Sequence, residues 1–197
     1  MLSTKILSKA EIQEVVAELK RKSKRSKNSL QNLIIFRLAT CCGLRVSEIS
    51  ALKISNLKLE IDRPYIYLPK SITKGHKSRR VPLCFDAETL RDLQTFKRLR
   101  LLANDSEFFV CCIGTGLQLD RRNLRMRFKT ACKILGQDRC STLTIHDGRH
   151  TFCSHALHAG IPLTVVRDAV GHSNLSTTSI YSHVVLDSQN QTTNLFS

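Results

Sequence analysis

The sequence contains no Cys-x-x-Cys pair, although it has eight cysteines. Cys41–Cys42 and Cys111–Cys112 are adjacent pairs, and Cys84, Cys132, Cys140 and Cys153 stand singly. Zinc-ribbon and zinc-finger spacing is therefore missing, and nothing suggests a disulfide framework. The thiols read as reduced and mostly buried, as in a cytosolic protein. His150, Cys153 and His158 share one stretch and form a minor metal-site alternative; the expectation is no metal. The chain also lacks an apolar run of membrane-span length, and Met1 is not followed by a signal-peptide core. It has no GxxxxGK[ST] phosphate loop, no HExxH, no internal repeat and no low-complexity segment. Acidic residues are scarce as well, with 16 Asp+Glu against 31 Lys+Arg, a net charge of +15 and a pI near 9.8. Such a surplus concentrates polyanions, nucleic acid first and an anionic membrane surface second.

What is present suits one folded domain. A hydrophobic content of 42% in 197 residues supplies a proper core. "SKAE" at Ser8–Glu11 is a capping box, followed at helical spacing by Ile12, Val15, Val16 and Leu19. "KRKSKRSKN" then reads as a polar, basic connector, either a solvated loop or a segment lying along phosphates through Lys20, Arg21, Lys22, Lys24 and Arg25. A second helix is expected over about Leu30–Cys42, stopping at Gly43, and a short third over Val46–Leu52. "RPYIYLP" and "SRRVPLC" read as two antiparallel strands around "KSITKGHK", with Tyr65 and Tyr67 on one face. Further helices are expected over about Ala87–Leu102, Leu119–Leu135, Gly148–Ala159, Pro162–Val170 and Leu175–Tyr181. The fold class is α+β, mainly α, with one small antiparallel sheet.

Four stretches gain meaning together: "CGLRVSEIS" with Arg45, "TKGHKSRRVPL" with Lys74, "HDGRH" with His146 and Arg149, and "GHSNLSTTSIYSH" with His172 and Tyr181. They supply what attack on a phosphodiester needs. Two guanidinium forks hold the non-bridging oxygens, and a lysine ammonium can protonate a departing sugar oxygen. Imidazoles can hydrogen-bond the phosphate or move the nucleophile's proton, and a tyrosine hydroxyl can carry a covalent phosphate ester.

In these motifs and their order the chain resembles the catalytic domain of the tyrosine recombinase (phage-type integrase) family, from about Leu7 to His183. The resemblance implies that Arg45 and Arg149 are the catalytic arginines, Glu48 a helper acid, Lys74 the hairpin lysine, and His146 and His172 the histidines. Tyr181 is then the nucleophile, and His150 is a supporting residue. It further implies site-specific recombination of double-stranded DNA through a 3′-phosphotyrosine without a cofactor, and self-association as a tetramer on DNA. Location is expected in the cytoplasm, with the nucleoid when bound; whether an accessory DNA-bending protein takes part is open. The expected organisation is a catalytic domain over 1–183 and a tail over 184–197, whose Leu195 and Phe196 would dock on a neighbouring protomer. The family's N-terminal core-binding domain is expected to be absent.

Two departures and two rivals accompany this reading. Gly148 stands where the family usually has leucine, so a weakened helix start and a missing packing group are expected. Lys77, Arg79 and Arg80 lie beside Lys74 on the same hairpin and could offer another cation to DNA. A type IB topoisomerase shares the chemistry but usually has lysine where His146 stands. A non-catalytic helix-turn-helix protein could use Pro162–Val170 and Leu175–Tyr181, with Arg167 near the duplex; it explains the charge but not the constellation.

Overall fold

The computed structural model describes residues 5–83 and 86–171. Its described helices are α1 (Lys9–Ser23), α2 (Lys27–Thr40), α3 (Val46–Ala51), α4 (Ala87–Ala103), α5 (Arg121–Cys132), α6 (Gln137–Thr142), α7 (Ile145–His158) and α8 (Leu163–Val170). Three short strands, β1 (Leu57–Lys58), β2 (Tyr65–Leu68) and β3 (Arg79–Pro82), form one antiparallel sheet in that order.

The helix starts follow from caps. Ser8 and Glu11 close a reciprocal capping box, Ser8 N–H donating to Glu11 Oε2 at 2.7 Å and Glu11 N–H to Ser8 Oγ at 3.2 Å. Ser26 caps α2 by accepting from Ser29 N–H, so α2 begins three residues before the expected Leu30. The basic run is largely helical instead of a connector. Lys20, Arg21 and Lys22 form the last turn of α1, where cations suit the helix dipole. Lys24 is the C-cap, and only Arg25 and Ser26 separate it from α2.

α2 is the central helix: every residue from Gln31 to Thr40 is buried. Phe36 stacks on Phe128 of α5 with ring centroids 5.7 Å apart, and Phe96 of α4 meets Phe109 edge-on at 5.1 Å. Arg37, fully buried on α2, donates from Nε to Asp92 Oδ2 at 3.1 Å and from Nη2 to Glu88 Oε2 at 2.8 Å. Its Nη1 lies 3.4 Å from Asp86 Oδ2. Three carboxylates thereby clamp α4 onto α2, and Lys20 joins them from α1 at 2.8 Å from Glu88.

α7 begins at Ile145, ahead of the expected Gly148, because Thr144 and Asp147 form a capping box in which Thr144 N–H donates to Asp147 Oδ2 at 2.8 Å. Gly148 therefore lies inside the first turn. A Cβ there would come 3.0 Å from Thr40 Oγ1 and 3.2 Å from Ala39 Cβ. The glycine removes no packing group: the space a side chain would need is filled by α2, and its lack of a side chain lets the two helices meet.

In the sheet, Ile66 pairs with Val81 and Leu68 with Arg79, while Tyr67 pairs with Arg80 and Tyr65 with Pro82. Ile66, Leu68 and Val81 are fully buried, so the inner face also carries Arg79. Tyr65 and Tyr67 share the outer face as expected, where the Arg80 guanidinium lies 4.8 Å from the Tyr65 ring centroid. β1 and α6 were not anticipated; they are two and six residues long.

Candidate active site

Gly43 makes the turn that places the first arginine. It follows α2 at φ 66, where an L-residue is strained, and Leu44 N–H donates back to Leu38 C=O at 3.0 Å. A Cβ on Gly43 would sit 2.6 Å from Phe152 Cδ1 of α7. The turn delivers Arg45 to the extended N-cap position of α3. Glu48, one turn on and fully buried, reaches back: Arg45 N–H donates to Glu48 Oε2 at 2.8 Å, and Arg45 Nη1 to Glu48 Oε1 at 3.0 Å.

A second guanidinium faces the same carboxylate. Arg79 Nη1 donates to Glu48 Oε1 and Arg79 Nη2 to Glu48 Oε2, both at 2.8 Å. Burial alone would raise the Glu48 carboxyl, but the hydrogen bonds and charge of Arg79, with the charge of Arg45, hold it below its usual value. Glu48 is thus an anion in a dry place. Arg79, grouped by sequence with the cations facing DNA, is instead buried, its side chain 8% exposed.

The arginines converge on the C-terminal turn of α8. Arg79 Nε donates to Ala169 C=O at 2.8 Å, Arg149 Nη2 donates to Val170 C=O, and Arg45 Nη2 donates to Gly171 C=O at 3.0 Å. Three consecutive carbonyls at the negative end of the helix dipole each hold one guanidinium. Arg149 Nη1 also donates to Gly43 C=O at 2.7 Å. Burial first, and the Arg45 charge second, lower the Arg149 guanidinium from its ordinary value. Three guanidiniums against one carboxylate leave two positive charges. A guanidinium has five N–H donors, and these contacts occupy only some of those on Arg45 and Arg149. The remainder can meet the non-bridging oxygens of a phosphate.

Lys74 sits in the loop joining β2 and β3. Thr73 Oγ1 spans that loop, donating to Lys77 C=O at 2.9 Å, and His76 turns the chain at φ 48. Lys74, Lys77 and Arg80 are exposed. His146 and His150 are exposed on α7, with His146 one turn before Arg149. Burial lowers the His150 imidazole, which favours its neutral form. His172 and Tyr181 lie outside the described residues; Gly171, which accepts from Arg45, is the sequence neighbour of His172. The second helix of the helix-turn-helix alternative, Leu175–Tyr181, and the tail residues Leu195 and Phe196 also lie outside them.

Three of the predicted cations are engaged in ion pairs. Lys20 pairs with Glu88 at 2.8 Å and Asp92 at 3.3 Å, and Arg21 and Lys22, both exposed, pair with Glu18 at 2.6 Å and 3.1 Å. Lys24 and Arg25 are exposed at the α1–α2 corner. His150, Cys153 and His158 do not form a metal cluster; among the described residues no three metal-ligating side chains come together. The seven described cysteines are free thiols. No described helix is long and apolar enough to cross a membrane. The motifs do not reveal the place of Arg79 in the site, although strand alternation carries one signal: it lies two residues before Val81 and so shares its buried face.

Comparison with known proteins places the chain in a family. Residues 5–187 match the Phage integrase family. The tyrosine recombinase XerD of Halalkalibacterium halodurans is 33% identical over 184 residues, covering 92% of this chain and 59% of the relative. A tyrosine recombinase XerC of Bacillus licheniformis is 37% identical over 165 residues, covering 80% of this chain and 50% of the relative. The chain thus spans little more than half the length of the curated relatives it matches. Among solved structures, XerA recombinase superposes with a TM-score of 0.72 at 23% identity, covering 90% of this chain and 58% of that one. The XerH site-specific recombinase bound to its palindromic difH substrate gives 0.73 at 21%, covering 92% and 50%. A lambda integrase tetramer bound to a Holliday junction gives 0.64 at 17%, covering 94% and 50%. The described helices and three-stranded sheet are those of a tyrosine recombinase fold, and the chain belongs to the phage integrase family.

Proposed function

We propose that the chain cleaves and rejoins DNA strands as the catalytic domain, residues 1–183, of a site-specific tyrosine recombinase. The observation that carries this reading is the convergence of Arg45 and Arg149 on adjacent carbonyls at the C-terminal end of α8, where, among the described residues of the cluster, three guanidiniums face one carboxylate. In the reaction the Tyr181 oxygen forms a bond to phosphorus as the bond from phosphorus to the 5′ oxygen breaks. Arg45 and Arg149 hold the non-bridging oxygens as charge builds on them. Lys74, in its exposed loop, gives a proton to the leaving 5′ oxygen, while His146 and His172 hydrogen-bond the phosphate and take up the tyrosine proton. The product is a 3′-phosphotyrosine ester. A 5′ hydroxyl reverses the step, and since the ester's free energy is kept, resealing needs no ATP. An incoming hydroxyl from a second duplex makes the outcome recombination.

Lys24, Arg25, Lys77 and Arg80, with the ion-paired but exposed Arg21 and Lys22, are proposed to meet DNA phosphates, so binding should weaken steeply with salt. The XerH structure on difH DNA and the lambda integrase tetramer on a Holliday junction support duplex DNA as partner and assembly into a tetramer on it. Leu195 and Phe196 of the 184–197 tail are proposed to dock on the neighbouring protomer. Their deletion should lower strand exchange and leave single-site cleavage intact.

The test is capture on a nicked duplex pool with a randomised core, in EDTA, with wild type beside Tyr181→Phe. A denaturant-resistant protein–DNA band, absent from Tyr181→Phe, is expected, and sequencing the captured DNA identifies the site. The same band from Tyr181→Phe, or binding to the pool with no band from wild type, overturns the reading.

A further inference from the structure

Arg79 does more than fill the inner face of the sheet. It contributes all three of its nitrogens to the site, two to the two oxygens of Glu48 and Nε to Ala169 C=O. Gly171 gives it room. A Cβ on Gly171 would stand 3.0 Å from Arg79 Cδ and 3.1 Å from Arg79 Nη1. The guanidinium therefore passes against the same turn whose next carbonyl holds Arg45.

The electrostatics of that arrangement are specific. Glu48 is fully buried; among the described residues Arg79 and Arg45 form direct ion pairs with its carboxylate, and the charge of Arg149 acts on it without an ion-pair contact. With both in place, one negative charge is shared between two positive ones. With Arg79 absent, Arg45 would be the one direct ion-pair partner left to the buried carboxylate among the described residues, and a one-to-one pair in a dry site cancels most of the field that Arg45 can offer a phosphate.

Resting on the recombinase reading above, we propose that Arg79 is a positioning residue for strand cleavage. It satisfies Glu48 from the sheet side, so that the charge of Arg45 stays available to a non-bridging oxygen of the scissile phosphate. Arg79 does not itself touch DNA: its contacts are Glu48 and the turn of α8, and its side chain is nearly closed off from solvent.

The test uses the full chain and the captured site in single-turnover cleavage, beside equilibrium binding. Arg79→Gln is expected to slow cleavage by about a hundredfold or more, the scale of losing one preorganised donor to a developing oxyanion, with DNA affinity changed less than about threefold. Glu48→Gln added to Arg79→Gln removes the carboxylate that captures Arg45, and should restore at least about tenfold of the loss. Arg79→Lys keeps the charge and should retain more rate than Arg79→Gln. The decisive substrate carries a methylphosphonate at the scissile position, which lacks one non-bridging negative charge. On it the defect of Arg79→Gln should shrink to within about threefold of wild type. These fold-changes express the amount of Arg45 charge restored or no longer required.

A defect of equal size on phosphodiester and methylphosphonate would mean damage to the fold only, and would overturn the proposal. So would a double variant no faster than Arg79→Gln, or Arg79→Gln at the wild-type rate. Circular dichroism melts identify variants that unfold; if Arg79→Gln is one of them, the comparison of the double variant and Arg79→Lys on the two substrates decides. Wild type that cleaves neither substrate refutes the recombinase reading itself, a result distinct from active wild type with insensitive Arg79 variants.

Discussion

Gly43→Ala tests how tightly the active-site turn is specified. Two costs add. At φ 66 an alanine occupies the left-handed region, at about 1–2 kcal/mol. Its Cβ would stand 2.6 Å from Phe152 Cδ1 and 3.0 Å from Phe152 Cγ, and Phe152 is 2% exposed inside the core. Relief needs the ring or the turn to move, an overpacking cost of about 1–3 kcal/mol. The total, about 2–5 kcal/mol, is a large part of the roughly 5–15 kcal/mol that holds a domain folded. For a domain of this size each kcal/mol lowers Tm by about 2–4 °C, so a fall of about 4–20 °C is expected. The assay is urea and thermal unfolding followed by far-UV circular dichroism, which suits a chain with no tryptophan. The urea midpoint should fall with the slope unchanged. Repeating the substitution in a Phe152→Ala background removes the clashing ring atoms and leaves the dihedral cost, about 1–2 kcal/mol. A loss below about 0.5 kcal/mol in the wild-type background would show that the turn tolerates a side chain and refute the reasoning.

Gly148→Leu, which installs the residue usual in the family, should destabilise by at least about 1–3 kcal/mol because Ala39 and Thr40 occupy the space; urea unfolding checks this. Arg37→Met takes the Arg37 ion pair from the buried Asp86, while Lys20 still meets Glu88 and Asp92, and should cost about 3–5 kcal/mol at pH 7. Burial alone would raise the Glu88 carboxyl, but hydrogen bonds from Lys20 and Arg37 bring it down to about 2 from 4.5. Its folded value lies below its unfolded one, so its contribution is present above about pH 4.5 and lost as pH falls toward 2. The gap between wild type and Arg37→Met in urea unfolding should accordingly narrow over that window. Burial pushes the Cys41 and Cys153 thiols up to about 11 and Cys132 up to about 12, whereas Cys112 is partly exposed. Disulfide-exchange labelling at pH 8, mapped by mass spectrometry, should therefore mark Cys112 first among these four. Equal labelling of Cys153 would contradict the burial.

Much of the fold was legible because its signals are local. The Ser8–Glu11 box, Gly43, Pro162 and Gly171 act within a turn of themselves, and they fall where elements start and stop. The basic run was misread because its helicity depends on partners far away in sequence. Lys20 is held by Glu88 and Asp92 of α4, which no reading of residues 20–28 contains. β1, two residues long, and α6, six residues long, are too short to show a period. Within the site, Arg45, Glu48 and Arg149 were identified by motif, but the pairing that gives Glu48 its second partner comes from strand register. Arg79 and Arg80 are both basic; only the alternation fixed by Val81 sends one inward and the other out over Tyr65. Likewise Arg37 sits in an apolar stretch, and its three acids belong to another element.

The last turn of α8 sets a geometric condition on the whole site. Successive helical residues are rotated by about 100° and rise about 1.5 Å, which separates carbonyls 169 and 170, and Gly171 leaves the helical path at φ 66, so the three carbonyls point in different directions. They are met by arginines arriving from three places: β3, α7 and the α2–α3 turn. Such a tripod fixes both the rotation and the axial position of α8. A slip by one residue would present every guanidinium with the wrong carbonyl at once, and no small adjustment of one arm could repair the other two. The guanidinium cluster is thus assembled as a unit or not at all, and α8 acts as its keyed register.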